Sequence, residues 1–384
     1  MKMLNAWTQE LDEADIAVAE ILEQLDLGRN ALQYSAGLLT CSYDFIEAGI
    51  VKAICESLPF EVVGCTTLTN ADNGDAGSML LCLTVLTADD CGFTAGLSAS
   101  LGADYQGVVD AAVRKAQTVN GDEVKIALAF LPMIEIAGES MLAALDQALK
   151  GAPVFGTIAC DSDTANYSNT YVIYKGEAYR DRLAFLMLTG NVTPRFVVTS
   201  TSEQNLTRQQ AVITASEGSL LKRVNNVTAM EYFESIGLVT GKGIEAMSSI
   251  PFMVDYNDGT QPLARAIYSL NDDGSALCGG VMPEGGSLYI GRMDEEDILL
   301  TAETSLKTLF EGGATSGVLM FPCLGRNMVL MVDPLAEIDV VKAQIADRVP
   351  WHLAYSGGEC CPVYNKSGGL INRFHNFTFI CCAL

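Results

Sequence analysis

Two histidines, two tryptophans and 23 basic residues are few for a chain of 384. Each shortage excludes something. With only His352 and His375, a histidine-based metal centre would have to recruit cysteine or carboxylate, and no cluster of that kind stands in the sequence. The 23 lysines and arginines face 47 acidic residues, a net charge of −24. Such a chain repels phosphate backbones and anionic lipid, so neither nucleic acid nor a membrane surface is an expected partner. Long apolar runs are also missing: the greasiest windows, 79–86 and 377–384, are about half the length needed to span a bilayer. There is no G-x-x-x-x-G-K-[ST] loop, no strand-linked G-x-G-x-x-G, no G-x-S-x-G and no H-E-x-x-H. At the N-terminus, MKMLNAWTQELDEADIAVAEILEQLDL carries acidic residues where a secretion signal is basic, and its apolar residues sit at helical spacing. It reads as a surface helix over residues 1–30, and a cytoplasmic protein is expected.

What is present is apolar content, 49% of the residues, enough to fill the two cores that a chain of this length calls for. Twelve cysteines raise the question of disulfides. Cys82, Cys278, Cys381 and Cys382 lie in apolar strand-like runs where a free thiol serves as a small hydrophobe, which suits a reducing compartment. The pairs Cys360-Cys361 and Cys381-Cys382 are the one zinc alternative. Structural zinc motifs separate their cysteines by about two to four residues, and strand neighbours point to opposite faces. No metal and no cofactor is expected.

Taken in order, 31–44 reads as a strand leaving through Thr40-Cys41-Ser42, FIEAGIVKAICESL as a helix stopped by Pro59, and FEVVGCTTLTN as a strand breaking at a Gly-Cys-Thr-Thr turn. Two strand-like runs and a helix over 104–117 follow. VKIALAFLP, GESMLAALDQALKGA and PVFGTIACDSD then repeat strand, helix, strand and glycine turn, so that Gly64 and Gly156 occupy equivalent places. A hairpin is expected at Lys175-Gly176. Between about Thr199 and Ile250 the composition turns polar, with a helix capped by Thr228 and Glu231. Beyond it come strands with tight Asp-Gly turns, a helix over 295–311, and a third strand, helix (335–348) and Pro-led strand ending in a glycine turn. The expected fold is α/β: two domains, 31–200 and 201–384, of mixed, largely antiparallel sheets flanked by helices, built from repeated strand-loop-helix-strand units.

Candidate chemistry gathers in the last of these units. Cys323 follows a buried strand, with Gly325 and Arg326 beside it; a nearby cation would favour the thiolate, and a Cys323–His375 pair is the enzymatic alternative. Glu359 follows Gly357-Gly358, where backbone can approach a ligand closely. A guanidinium at Arg326 and a carboxylate at Glu359 would suit a zwitterion such as an amino acid, or else pair with each other. His375, with Asn376 at the start of an apolar strand, could act as donor, acceptor or general base, or the two could simply cap strand ends. Thr66 and Thr67 after Gly64 offer hydroxyls and amides to a small anion or to their own turn.

The motifs VVGCTT, VTAMEYFESIGL, LMFPCLGR, YSGGECCP and FHNFT, in that order, resemble those of the FIST family, whose paired N- and C-terminal domains serve as sensory modules for small ligands. The resemblance implies an amino-acid-like ligand and places Cys323, Gly325, Arg326, Gly358, Glu359, His375 and Asn376 on the family's characteristic positions. It differs in the paired cysteines after Glu359. Many such proteins carry a kinase, cyclase, chemotaxis or F-box module, and these 384 residues leave no room for one, so a separate signalling partner is expected. A scaffold without a ligand is the remaining alternative.

Overall fold

The computed structural model describes residues 1–384 except 103, 119–121, 135–136, 164–165, 208–209 and 239–249. The last part of the polar stretch expected to end near Ile250 lies outside the described residues.

Three repeats account for most of the chain. The first runs β1 (Lys2–Thr8), α1 (Ala14–Leu25), α2 (Leu27–Asn30), β2 (Tyr34–Cys41), α3 (Asp44–Glu47), α4 (Ile50–Ser57) and β3 (Val62–Thr66). It ends with the hairpin β4 (Asn70–Asp72) and β5 (Ala76–Gly77), then β6 (Leu81–Ala88). The second runs β7 (Cys91–Leu97), α5 (Tyr105–Gln117), β8 (Val124–Leu131), α6 (Gly138–Ala148), β9 (Val154–Ile158), the hairpin β10 (Val172–Tyr174) and β11 (Glu177–Tyr179), and β12 (Ala184–Gly190). The third opens with β13 (Arg195–Thr199) and is then interrupted. The insert holds β14 (Ala211–Glu217), β15 (Leu220–Val224), β16 (Val227–Thr228), α7 (Ala229–Ser235), β17 (Phe252–Asp255) and β18 (Leu263–Arg265). It closes with β19 (Ile267–Leu270), β20 (Ala276–Cys278) and β21 (Ser287–Ile290). The repeat resumes with α8 (Glu295–Glu311), β22 (Val318–Pro322), α9 (Leu324–Val329), α10 (Ala336–Ile345) and β23 (Trp351–Ala354). The hairpin β24 (Glu359–Tyr364) and β25 (Leu370–His375) and the strand β26 (Phe379–Ala383) complete it.

Each repeat builds four strands of a six-stranded sheet and receives the last two from another repeat. β1-β6-β2-β3 is completed by β10-β11 of the second repeat, β7-β12-β8-β9 by β24-β25 of the third, and β13-β26-β22-β23 by β4-β5 of the first. The exchange closes a ring. Within each sheet one pair is parallel, β2 with β3, β8 with β9 and β22 with β23, and a helix makes the crossover that a parallel pair demands. The apolar runs follow from this geometry. In β8, Ile126, Leu128 and Phe130 point to a core shared by all three sheets, while Ala127, Ala129 and Leu131 point outward beneath α5 and α6. α1 and α4 cover the first sheet and α8 and α10 the third in the same way. The insert has its own antiparallel sheet and core, and a small apolar cluster including Ala266, Met293 and Phe377 joins it to the body.

Most expected elements are present: α5, α8, the Thr228–Glu231 capping box of α7, and the turn at Lys175 (φ +53°) and Gly176 (φ +82°). One is corrected. Residues 2–8 form a strand, not the start of a helix, and pair with β6 from Lys2↔Thr87 to Thr8↔Leu81. Met3, Leu4 and Trp7 do fall at helical spacing, but residues 2–8 are taken up by backbone pairing along β6, and the buried helical face begins only with Ala17, Ile21 and Leu25 of α1. Position 200 marks the entry to the insert, yet β22, β23 and β26 beyond it return to the body. All twelve cysteines are buried and free. Among the described residues no helix is long and apolar enough to cross a membrane.

Gly64 and Gly156 hold equivalent positions, paired with Leu39 and Ala129. A Cβ at Gly64 would lie 1.7 Å from the Leu39 carbonyl oxygen, and one at Gly156 2.0 Å from that of Ala129. The strand itself would have to move. Gly64→Ala and Gly156→Ala are each expected to lower stability by about 3 kcal/mol, measured by urea unfolding, whereas Gly28→Ala, with open space at its Cβ, is expected to leave the midpoint unchanged.

A cavity between the insert and the body

β22 is apolar throughout, and the chain turns sharply after it because Cys323 donates its N–H to the Thr378 carbonyl at 2.9 Å and then enters the short α9. Gly325 lets this turn approach the Phe377 ring; a Cβ there would be 2.8 Å from it. β23 ends in the turn Tyr355-Ser356-Gly357-Gly358, stitched by the Ser356 hydroxyl, and β24 begins at Glu359 opposite Thr157 and His375. These turns cluster at one end of the body, where the insert meets them. The Asn376 amide oxygen accepts from Ala266 N–H at 3.2 Å, and buried Arg265 donates to the Phe374 carbonyl at 2.8 Å.

A cavity of about 250 Å³ lies at this seam. Its body side is formed by Cys323, Gly325, Met328, Gly357, Asn376 and Phe377, its insert side by Ala266, Ile267 and Tyr268, and Tyr167 reaches in from the loop after β9. Four other hollows are larger, at about 450, 710, 460 and 390 Å³, but they lie away from these turns. The Tyr268 hydroxyl and the Asn376 amide oxygen stand together, both within 2.8 Å of where a Cβ on Gly279 would be.

The candidate residues are thus divided. Cys323, Gly325 and Asn376 line the cavity, and Glu359 sits behind Cys323. Arg326 does not face it. Fully buried, it holds Glu337 Oε1 through Nε (2.9 Å) and Nη2 (2.6 Å), and donates to Ser200 O, Ile298 O and Thr301 Oγ1. Tyr355 donates to the other Glu337 oxygen at 2.8 Å. The expected alternative pairing of Arg326 with Glu359 is replaced by Arg326–Glu337. Gly358 packs against Phe374 and Ile158. Thr66 and Thr67 spend their amides on Tyr171 O and Cys41 O, so they offer no open cradle.

The electrostatics oppose nucleophilic catalysis at Cys323. Burial pushes its thiol well up, and the Glu359 carboxyl pushes it further against the pull of backbone hydrogen bonds from Gly325 and Phe377. His375 is fully buried, bonds the Cys361 carbonyl through Nε2 at 2.9 Å, and is driven down to about 3 by desolvation, so its ring is neutral. No hydrogen bond joins it to Cys323 among the described residues. Glu359 is the notable group: burial raises its carboxyl to about 8, only partly offset by Thr378, whose hydroxyl donates to Oε2 at 2.7 Å. Its Oε1 has no hydrogen-bond partner of ordinary geometry. Among the described residues no group of three or more His, Cys, Asp or Glu side chains is placed to hold a metal ion.

Residues 35–227 match the FIST N domain and residues 229–362 the FIST C domain. The chain belongs to the FIST family. FIST domains are sensory, so the role that membership supports is signalling rather than catalysis. No curated relative matches the chain. Among solved structures, phosphoribosylformylglycinamidine synthase II from Thermotoga maritima is matched at 12% identity over 99% of this chain and 71% of that one, with a TM-score of 0.20.

In this FIST protein Tyr167, Tyr268, Phe377 and Glu337 were not among the residues singled out from sequence. Nothing in the sequence marks the insert as the cavity's second wall, and Glu337 reads as an ordinary first-turn acid of α10.

Two outcomes follow from the buried charges. Arg326→Ala strands Glu337 without its counter-ion and is expected to cost about 3–5 kcal/mol of global stability, by denaturant unfolding. For Glu359, the folded carboxyl titrates near 8 and the unfolded one near 4.5. The stability attached to its protonated form is therefore fully present below 4.5 and is lost as pH rises through 8. Glu359→Gln removes that loss, so the variant's stability relative to wild type should grow between pH 4.5 and 8, by an amount on the order of 4 kcal/mol. A difference that is flat with pH would contradict it.

Proposed function

We propose that the seam cavity is the sensory site of this FIST protein, that it takes a small metabolite of about amino-acid size, and that a separate signalling protein reads its occupancy. The observation that carries this reading is that the two aromatic residues with left-handed backbone among the described residues both line the cavity. Tyr167 has φ +49° and Phe377 φ +56°, and both line the cavity. Bulky residues seldom adopt this region, which costs roughly 1–3 kcal/mol each. Such strain persists where surrounding structure enforces it and where it serves a purpose. The volume suits the reading: about 250 Å³ corresponds to roughly eight waters at ~30 Å³ each.

The cavity spans the cut at residue 200. Tyr167 comes from before it and Cys323, Asn376 and Tyr268 from after, so a ligand would bind across both family domains. Its mouth supports transmission. Met328 (46% exposed) on the body and Tyr268 (46%) on the insert form an apolar rim, and the exposed Met331 and Val332 follow Met328 in the chain. A ligand that draws insert and body together would reshape this rim, which is where a partner protein would sense the change.

Thermal-shift titration with small amines, amino acids, alcohols and carboxylates tests the site. One class is expected to raise the unfolding midpoint, by the equivalent of about 2.7 kcal/mol at a hundredfold excess over Kd. Met328→Trp, at an exposed position on the cavity wall, is expected to abolish the shift while leaving the unliganded midpoint in place. If no class produces a shift, or Met328→Trp binds like wild type, the cavity is not the sensory site.

A further inference from the structure

On the reading that the seam cavity is the sensory site, we infer that the group it recognises is a protonated amine, seated against Cys323 with Glu359 behind as counter-charge, and that binding expels the proton from Glu359.

The argument rests on what faces the cavity and what does not. The titratable side chains on its walls are Cys323, Tyr167 and Tyr268, all of which turn negative when they ionise. Cys160 and Glu359 lie behind them, and each of these acids raises the pKa of one or more of the others. Among the described residues no lysine, arginine or histidine lines it. Cations stand near, but they are committed. Arg326 is bound to Glu337, and Arg265 donates to the Tyr256 hydroxyl and lies 3.8 Å from Glu139. His375, across the strand from Glu359, is neutral. A ligand carboxylate would enter a site with no free positive group to meet it, and a ligand ammonium would supply the one charge the cluster lacks.

Glu359 gives this preference a location. It is fully buried, one oxygen is held by Thr378, and the other makes no hydrogen bond of ordinary geometry, the Cys323 thiol interacting with the carboxyl from the cavity wall. An orphaned carboxyl oxygen in a native interior calls for a partner, and once the carboxyl is ionised that partner must be a donor. Cys323, which forms the cavity wall, is the side chain that couples to it, and Tyr268 on the opposite wall also feels its charge. An ammonium at Cys323 would favour the carboxylate over the neutral acid, so the proton leaves Glu359 for solvent as the amine enters with its own. The sum is one cation bound and one proton released. The cavity's net charge is unchanged, which lets a dry site accept an ion.

Isothermal calorimetry at pH 7 in phosphate and in HEPES, with n-propylamine, n-butylamine and phenethylamine against the matching alcohols and carboxylates, tests this. Amines are expected to bind at least tenfold more tightly than the alcohols, carboxylates not at all, and the buffer dependence should report release of nearly one proton per amine. Glu359→Gln should abolish the proton release and weaken amines at least tenfold while sparing the alcohols. Cys323→Ser, which keeps the carboxyl, should retain the release; if Glu359→Gln proves unfolded by circular dichroism, wild type from pH 6 to 9 replaces it, with release falling towards zero as Glu359 ionises in the free protein. Carboxylates binding best, or amines binding without proton release, would overturn the inference and leave the cavity as the site, provided Met328→Trp blocks them. No binding by any class overturns both.

Discussion

Every sheet of the body depends on backbone hydrogen bonds that its own repeat cannot supply. β3, β9 and β23 would each be open edges if the chain stopped at the repeat; instead they accept β10, β24 and β4. An unpaired edge next to a shared apolar core is costly and invites wrong partners. Donating hairpins around a ring removes all three edges at once. No repeat can therefore hold its sheet alone, and the inner faces of all three meet in one core containing Phe130, Phe155 and Phe321. His352 fits this core because both ring nitrogens are met, by Thr40 and Thr84 of the first sheet at 2.9 Å each. Burial pulls its pKa down to about 4, so it stays neutral there.

The ring also shows where chemistry has been added to a common frame. By strand register, Cys323 corresponds to Ser42 and Pro132, and Glu359 to Asn70 and Val172. In the second repeat both positions are apolar. In the first, Asn70 accepts from Thr67 and donates to Leu80 O, a closed local circuit. At these corresponding positions the third repeat alone keeps an acid with an open valence, and it is also the repeat that carries the insert whose β19 roofs the cavity. The two departures from symmetry fall at one place.

Much of this was legible in the sequence because it is local. Apolar periodicity placed α8, capping chemistry placed α7, and the recurrence of glycine after a short strand marked Gly64 and Gly156 as equivalent before their contacts with Leu39 and Ala129 explained why. What was not legible depends on partners far along the chain. The hairpin exchange leaves no trace in spacing, β1 was absorbed into the helix that follows it, and the insert's role as a wall follows from tertiary contact. For the cavity, glycine turns pointed to the loops that bound it, and of the residues named there Cys323, Gly325 and Asn376 line it with Glu359 next to Cys323. Arg326 was misjudged because its partner, Glu337, sits on a different element, and the strained backbone of Tyr167 and Phe377 has no sequence signal.

Arg326 and Glu359 together separate architecture from recognition. Both are fully buried and ionisable, and from sequence they looked like two halves of one binding group. Arg326 has every nitrogen engaged, by a carboxylate, two carbonyls and a hydroxyl, so its charge is consumed in fixing α9 against α10 and the entry to the insert. A saturated charge of this kind can be removed only with structural loss and has nothing left to offer a ligand. Glu359 is held by one oxygen and left open at the other, in a place where carrying its charge unaided is so unfavourable that the proton stays on. That unmet valence, beside the cavity wall, is what the proposed amine would satisfy.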